Sequence, residues 1–519
     1  MKPTQASHEN PAAGSNLKGA AAGASWTYLV DSLDLRAILC LGRPSSPARA
    51  TLDRIANDVA VRDRHQLDPL PHAAFDLVWA MDLDGPDLET RVGEAAMALR
   101  NEGQLFLEVR GRSSAVTRMA NAGLLDITEY WLTPARGEIR SAIPINDRTI
   151  REYFVQHAIT VPSSPRPLRF LDRVAPVASS RHRVGLLARS GTSAHHRAGS
   201  LPRYVRDLAA AHGVDVSHYR FGLSARGRYN SRKVIFYLFA PGAIRPELIV
   251  KATRDKSQNA RLENEEHALR HVDELGLVDA GTAPQVVFSG VHGGLKMVAE
   301  TAIDGRLLSK QPSSVRIVSA YAWLTNLGTR SAQRTEASRE ALNATLEAVR
   351  SGVARTFHLS PHAQSRLDRA ADTLMKNIDH IPAVFMHGDA GTWNVVSENE
   401  RIAFLDWEAA DPAGLPLWDV FYLARSSVLD RAWFRRLARR PPSLHRALVA
   451  DRDLADAIAS YCANLELASE FVAPLYIMCW AHRALKEVAR LEVGHESRSH
   501  FFGLLRESVD DRADRRWNR

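Results

Sequence analysis

The stretch VFMHGDAGTWNVVSENERIAFLDWE, Val384 to Glu408, decides how this chain is interpreted. It spaces a carboxylate (Asp389), a carboxamide (Asn394) and a second carboxylate (Asp406) between short apolar runs. Each run is typical of a β-strand, and the polar residues fall where the runs end. One carboxylate can orient a hydroxyl proton, and an amide with a second carboxylate supplies the hard oxygen ligands that Mg²⁺ prefers. The pattern therefore predicts a phosphoryl-transfer site that uses ATP and Mg²⁺.

The same stretch resembles the catalytic loop of the aminoglycoside phosphotransferase and choline kinase-like family, whose fold is protein-kinase-like. The matching residues are His387-Gly388-Asp389, Asn394, Asp406-Trp407-Glu408 and, further on in GLPLWDVFYL, Asp419. The resemblance implies that Asp389 is the catalytic base and that Asn394 and Asp406 are Mg²⁺ ligands. It also implies that His387 and Asp419 brace the loop.

Lys251 lies within the apolar run LIVKATR, which predicts a strand. A lysine buried in such a run needs an anionic partner, whereas a lysine on the exposed face of an edge strand does not. The resemblance favours the first interpretation and implies that Lys251 contacts the α- and β-phosphates of ATP. The helical pattern NARLENEEHALRHVDEL follows, and we predict Glu265 as the partner of Lys251, with Glu266 as the alternative.

Two further elements of the nucleotide site are expected around these residues. Gly227 lies in ARGRYNSRK, a loop between two predicted strands, where backbone N–H groups can approach phosphates. The resemblance implies a hinge at about Val298 to Ala302 whose backbone binds adenine.

The front of the chain shows a different pattern, in which strands alternate with helices. RAILCLG, FDLVWA and GQLFLEV are apolar strands, and a helical segment precedes the last one. This alternation predicts a parallel sheet. The phrases resemble class I methyltransferases, which would imply S-adenosylmethionine as a ligand. However, the turn LGRPSSP has one glycine where a nucleotide-binding turn has several, so we predict a degenerate domain that acts as a scaffold or partner surface.

Together these patterns predict an α/β plus α+β protein, with an N-terminal Rossmann-like parallel-sheet domain followed by a bilobal protein-kinase-like domain. The predicted ranges are a disordered tail at 1–25, the methyltransferase-like domain at 26–190 and a low-complexity linker at 191–200. The kinase-like N-lobe follows at 201–302 and a helical C-lobe at 303–519.

The composition narrows the class of protein, its expected partners and its expected location. The chain has 519 residues, 45% of them hydrophobic and 24% charged, which is ordinary for a globular protein. Its net charge of +8 comes from arginines spread along the chain, so we expect no nucleic-acid partner. Three irregularly spaced cysteines predict neither a disulfide framework nor a zinc site, and they fit a cytoplasmic location. Neither a membrane span nor a secretory signal is expected, and the oligomeric state is left open.

The leading hypothesis is a kinase that phosphorylates a hydroxyl of a small molecule of the sugar, aminosugar or amino-alcohol class. One alternative is a catalytically silent nucleotide-binding scaffold. Another is a bifunctional enzyme that methylates and phosphorylates one metabolite. A protein kinase is disfavoured, because His-Gly-Asp and Asp-Trp-Glu replace the usual H-R-D and D-F-G.

Overall fold

The structure, a computed structural model, describes residues 25–63, 70–81, 88–110, 114–135, 138–157, 183–191, 199–225, 233–278, 281–398, 401–434, 443–489 and 499–510. The chain divides into two compact units. Unit 1 comprises Met1–Leu262 and Val287–Ala302, and unit 2 comprises Glu263–Val286 and Ile303–Arg519. The predicted disordered tail, apart from Ser25, lies outside the described residues, as does most of the predicted linker.

Unit 1 is built on one twelve-stranded sheet. In chain order its strands are β1 (Leu35–Leu41), β2 (Ala56–Arg62), β3 (Phe75–Met81), β4 (Leu99–Arg110), β5 (Leu124–Ala135), β6 (Glu138–Pro144), β7 (Arg183–Ser190), β8 (Arg220–Ser224), β9 (Lys233–Phe239), β10 (Leu248–Thr253), β11 (Val286–His292) and β12 (Leu295–Thr301). Across the sheet the order is β11-β12-β10-β9-β8-β6-β5-β7-β4-β3-β1-β2.

The strands β2, β1, β3 and β4 lie side by side and run parallel. Parallel neighbours need a crossover, and helices α1 (Ser46–Ile55) and α2 (Leu88–Ala98) provide it after β1 and β3. Ile38 and Cys40 of β1 pack into one core, whereas Leu39 and Leu41 pack into another, so this strand is buried on both faces. These four strands agree with the predicted parallel sheet, and the assignment to a Rossmann or methyltransferase-like domain stays a prediction.

The sheet continues from the front of the chain into the strands of the predicted N-lobe. Strand β6 pairs antiparallel with β8, with Ala142 opposite Leu223. The buried hydroxyl of Tyr28 donates to the carbonyl of Thr253 at 2.9 Å, at the end of β10. Tyr204 donates in turn to the carbonyl of Tyr28 at 2.8 Å. The front strands and the strand that carries Lys251 therefore share one unit, while the domain boundaries drawn from the sequence stay a prediction.

The remaining described helices complete both units. Unit 1 also contains α3 (Ala115–Asn121), α4 (Arg148–Gln156) and α5 (Arg203–Ala211), and α6 (Asn259–Glu274) begins there and continues into unit 2. The helices of unit 2 are α7 (Ser314–Ser331), α8 (Glu336–Thr356), α9 (Pro361–Lys376), α10 (Trp418–Phe434), α11 (Leu444–Val449), α12 (Arg452–Leu465), α13 (Val472–Val488) and α14 (His500–Asp510). Among the described helices, none is both long and apolar enough to cross a membrane.

Two small sheets accompany the helices of unit 2. One has the order β13 (Arg306–Leu307), β15 (Val395–Glu398) and β16 (Arg401–Phe404), and the other pairs β14 (Val384–Met386) with β17 (Asp411–Gly414). The buried rings of Trp407, Trp418 and Trp480 belong to the main core of this unit. The small sheets therefore place the ends of short strands, and the polar residues that follow them, against a well-packed helical core.

Candidate active site

The three residues that the sequence analysis singled out first lie at strand ends of unit 2. Asp389 lies three residues after β14, Asn394 directly precedes β15, and Asp406 lies two residues after β16. The backbone N–H of Leu405 donates to the carbonyl of Asn394 at 2.8 Å, which holds the two strand ends together. The side-chain amide of Asn394 donates to the Asp389 carboxylate and to its backbone carbonyl, both at 3.0 Å. The structure thus brings Asp389 and Asn394 together as the spacing predicts.

His387 is fully buried and braces the loop through both ring nitrogens. Its Nδ1 accepts the backbone N–H of Asp389 at 3.2 Å. Its Nε2 lies 3.0 Å from the carbonyl oxygen of Leu405. Because a carbonyl can only accept, the ring is the neutral tautomer with its proton on Nε2. The histidine therefore links the segment that carries Asp389 to the segment that carries Asp406.

Asp419, in the first turn of α10, holds the same loop from the other side. Its carboxylate accepts the backbone N–H of His387 at 2.6 Å and that of Gly388 at 3.1 Å. Burial raises the pKa of Asp419, and His387, Arg483 and the two backbone donors oppose that shift. The side chain therefore fixes the loop backbone by accepting two of its N–H groups.

Gly388 and Asp406 occupy backbone conformations that few residues adopt. Gly388 has φ +73°, and a Cβ atom there would lie 1.9 Å from the carbonyl oxygen of Ala409. Asp406 has φ +65°, in the left-handed region that is uncommon for residues other than glycine. Such strain is retained where the surroundings hold it, and it clusters at functional sites. Here it turns the chain sharply at both strand ends that carry the candidate site.

The donor set fits Mg²⁺ bound together with a nucleotide. Because the Asn394 amide nitrogen donates to Asp389, the amide oxygen is directed away from that contact and would be the atom that holds Mg²⁺. Among the described residues, no group of three or more His, Cys, Asp or Glu side chains could hold a metal by itself. Mg²⁺ in kinase sites is held by one or two protein oxygens plus substrate phosphates, so a pair such as Asn394 and Asp406 is sufficient.

Tyr422 is a site residue that the sequence analysis missed. Burial raises the pKa of its hydroxyl and the nearby carboxylate of Asp389 raises that pKa further, whereas the charges of Arg483 and Arg425 lower it. The guanidinium of Arg483 lies 3.7 Å from the centroid of the Tyr422 ring. The residue is four positions after Trp418 in an apolar helix, and nothing in that pattern separates it from core residues.

In unit 1, Lys251 is buried and its ammonium lies 2.7 Å from the carboxylate of Glu300. Lys251 is opposite Val298 in the β10–β12 ladder, and Glu300 lies two residues further along the same face. The pair is therefore a diagonal cross-strand contact. The buried position agrees with the predicted need for an anion. Glu265 is also fully buried and Glu266 pairs with Arg270 at 2.9 Å, and the role predicted for Glu265 stays a prediction.

The predicted hinge and glycine loop are placed only in part. Val298 is buried in the centre of β12. The backbone N–H of Ala302 donates to the carbonyl of Glu247 at 2.8 Å, so that donor is used within the sheet. Gly227 lies outside the described residues.

Comparison with known proteins shows what this part of the chain is similar to. Residues 228–456 match the model of the family described as "Phosphotransferase enzyme family". No curated protein matches the chain. Similar solved structures include macrolide 2'-phosphotransferase MphH from Brachybacterium faecium, at 18% identity and a TM-score of 0.32, covering 55% of this chain and 96% of that chain. Choline kinase LicA from Streptococcus pneumoniae, at 14% identity and a TM-score of 0.37, covers 55% of this chain and 92% of that chain.

Proposed function

We propose that the protein transfers the γ-phosphate of ATP to a hydroxyl of a small molecule, with Mg²⁺, because residues 228–456 match the model of the phosphotransferase enzyme family. This match confirms the predicted kinase class of enzyme. The observation that carries the finer proposal is the contact of the Asp389 carboxylate with the Asn394 amide at 3.0 Å. It places a candidate base next to a candidate metal ligand, on a loop whose backbone is held by His387 and Asp419.

The proposed step is an in-line displacement. The acceptor oxygen forms a bond to the γ-phosphorus while the bond from that phosphorus to the β–γ bridging oxygen breaks. The bond pair leaves with ADP, and the acceptor proton passes to the Asp389 carboxylate and then to water. Bound Mg²⁺ would neutralise charge on the phosphate oxygens. Asp389 supplies orientation of the hydroxyl, and most of the acceleration in such sites comes from positioning and charge compensation.

Lys251 is the proposed contact of the α- and β-phosphates. Its burial and its 2.7 Å contact with Glu300 support a role in which the ammonium is held in a defined direction. Glu265 is retained as a second candidate for holding Lys251, since it is fully buried on α6. The hinge proposal for Val298 to Ala302 rests on strand order alone.

Two finer points complete the proposal. We place the reaction in the cytoplasm, since Cys40, Cys462 and Cys479 are all buried free thiols. The competing scaffold hypothesis requires nucleotide binding without turnover. An enzyme is favoured over a scaffold because the four candidate site residues are all present: Asp389, Asn394, Asp406 and Lys251.

The test is the variant Asp389→Asn, which keeps the shape of the side chain and removes its basicity. We expect kcat for phosphate transfer from Mg-ATP to fall by about 10²- to 10⁴-fold, while nucleotide binding in a thermal-shift assay persists. The exposed Asp456→Asn on α12 is the matched control and should keep full turnover. Undiminished transfer by Asp389→Asn would reject the assignment of the base. If the wild-type protein bound ATP but released ADP with none of a broad set of acceptors, the scaffold hypothesis would be favoured.

A further inference from the structure

A group of aromatic and guanidinium side chains lies beside Asp389 in unit 2. We name it the anchor cluster, and its members are Trp393, Tyr422, Arg425, Arg483 and Phe501. Trp393 directly precedes Asn394, whose side-chain amide donates to the Asp389 carboxylate at 3.0 Å, and this joins the cluster to the proposed base. The Trp393 side chain is 41% exposed, and its ring meets that of Tyr422 edge-on at a centroid distance of 5.8 Å. The cluster therefore extends from the protein surface to the carboxylate that faces the acceptor.

Both guanidinium groups lie on aromatic rings. Arg483 is 3.7 Å from the centroid of Tyr422, and Arg425 is 4.2 Å from the centroid of Phe501. The rings of Tyr422 and Phe501 are themselves stacked at 5.9 Å. Cation–π contacts of this kind hold the planar guanidinium groups in fixed orientations. Two positively charged planes are therefore held on the stacked rings of Tyr422 and Phe501.

Each of these two arginines keeps a buried hydrogen-bond donor unsatisfied within the described part of the chain. The Arg483 side chain belongs to a residue that is only 7% exposed, and Arg425 is partly buried. In each, the buried Nε has no hydrogen-bond partner among the described residues. Burial lowers the pKa of Arg425, and the charge of Arg483 lowers it further, although Tyr422 and Glu487 oppose this. A buried donor and charge without a full set of partners is costly until an anion binds.

The neighbouring carboxylates are already engaged by other donors. Glu487 accepts the Ser499 hydroxyl at 2.6 Å and the backbone N–H of Phe501 at 3.1 Å, at the start of α14. Asp419 accepts the two backbone N–H groups of the catalytic loop. Neither carboxylate accepts a hydrogen bond from the buried Nε of Arg425 or of Arg483.

We propose that the anchor cluster binds an anionic group, a carboxylate or a phosphate, carried by the acceptor whose hydroxyl faces Asp389. The planar fork of arginine matches both anions, and pairs of charge-assisted hydrogen bonds fix their orientation. The exposed ring of Trp393 covers the apolar face of a sugar or polyol. The acceptor class is thus a hydroxylated acid or a phosphate ester. This inference rests on the proposed function, since it names the substrate class of that same site.

The first experiment uses the wild-type full chain with Mg-ATP and a metabolite extract separated by anion exchange. We expect phosphate acceptance in the retained, anionic fraction. Phosphatase treatment of that fraction, followed by removal of the phosphatase, separates the two sources: phosphate esters lose acceptance, whereas carboxylic acids keep it. Acceptance only in the neutral and cationic flow-through overturns the inference and leaves the proposed function standing. Acceptance in neither fraction overturns both.

The second experiment compares Arg425→Gln and Arg425→Lys with the exposed control Arg355→Gln on α8. Loss of one charge-assisted contact should raise KM for the anionic acceptor by about tenfold or more in Arg425→Gln. The lysine variant, which keeps the charge but loses the fork, should fall between it and the wild type. KM for ATP should stay within about twofold of wild type, because the change concerns acceptor binding alone. An equal rise of both KM values, or the same rise in Arg355→Gln, overturns the inference.

Discussion

The loop around Asp389 in unit 2 and the strand pair around Lys251 in unit 1 compensate their charges by different means. In the loop, Asp419 accepts two backbone N–H groups and Asp389 accepts the amide of Asn394. In the strand pair, Lys251 contacts a carboxylate, that of Glu300, across two strands. The first arrangement is set by backbone geometry, and the second by side chains in register.

This difference bears on how each region performs its proposed task. The backbone N–H groups bound by Asp419 fix the loop before substrate arrives, so the base that the loop carries is preorganised. An ammonium held by a carboxylate has a partner that phosphate oxygens can replace or supplement. The loop is therefore expected to be sensitive to changes of backbone shape, and the strand pair to changes of side-chain charge.

The largest expected effect is that of Gly388→Ala on the loop. The new Cβ would lie 1.9 Å from the carbonyl oxygen of Ala409, at a residue with φ +73°. The backbone would have to move, and we expect a loss of about 3 kcal/mol or more in the free energy of unfolding, together with loss of phosphate transfer. Urea unfolding of the full chain measures the first effect, and ADP release with the identified acceptor measures the second.

Gly503→Ala in α14 is the matched control for that substitution. A Cβ atom at Gly503 has no neighbour within 4 Å. Alanine in a helix should stabilise by about 0.5–1 kcal/mol relative to glycine. If Gly388→Ala were as well tolerated as Gly503→Ala, the loop would not depend on its backbone shape. The proposed difference between the loop and the strand pair would then be wrong for the loop.

The intermediate effect concerns the strand pair. Glu300→Gln keeps the size of the side chain and removes the charge beside the Lys251 ammonium, and both groups are buried. We expect a loss of about 2 kcal/mol in the free energy of unfolding and a higher KM for ATP, because the direction of the ammonium is less well held. Glu247→Gln serves as the control, since Glu247 is exposed and contacts the hydroxyl of Tyr219. Equal stability losses in the two variants would show that the buried contact of Lys251 with Glu300 does not stabilise the protein more than the exposed contact of Glu247 does.

The two regions also differ in how well their contacts could be predicted from the sequence. The positions of Asp389 and Asn394 could be predicted, because the eight residues of chain between β14 and β15 leave few geometries. The contact of Lys251 with Glu300 could not, because it depends on the register of β10 and β12. Helical periodicity likewise places Glu265 on a buried stripe of α6 but does not identify its partner.

Long-range packing explains what else was missed. Tyr422, Arg425 and Arg483 reach the site from two helices, α10 and α13, and in the sequence they are indistinguishable from core residues and surface charges. The strand–helix alternation predicts the four parallel strands at the front of the chain. It does not predict that β6 pairs with β8, since that contact joins distant segments.

The smallest expected effect compares one partly buried histidine from each unit under acid. Burial lowers the pKa of His482 well below its usual value, and Lys486 and Arg483 lower it further. Burial also lowers the pKa of His292, but Asp34 and Asp207 oppose that shift. A lowered folded-state pKa stabilises above the unfolded value, about 6.5, and this stability is lost as pH falls below it. His482→Phe, which keeps a ring to stack on Trp418, should therefore flatten the acid limb of stability by up to about 1.4 kcal/mol per pH unit. His292→Phe should flatten the acid limb less than His482→Phe does. Urea unfolding of both variants between about pH 5 and 6.5 measures this difference. A larger effect of His292→Phe would contradict the view that unit 1 compensates charge with counter-ions.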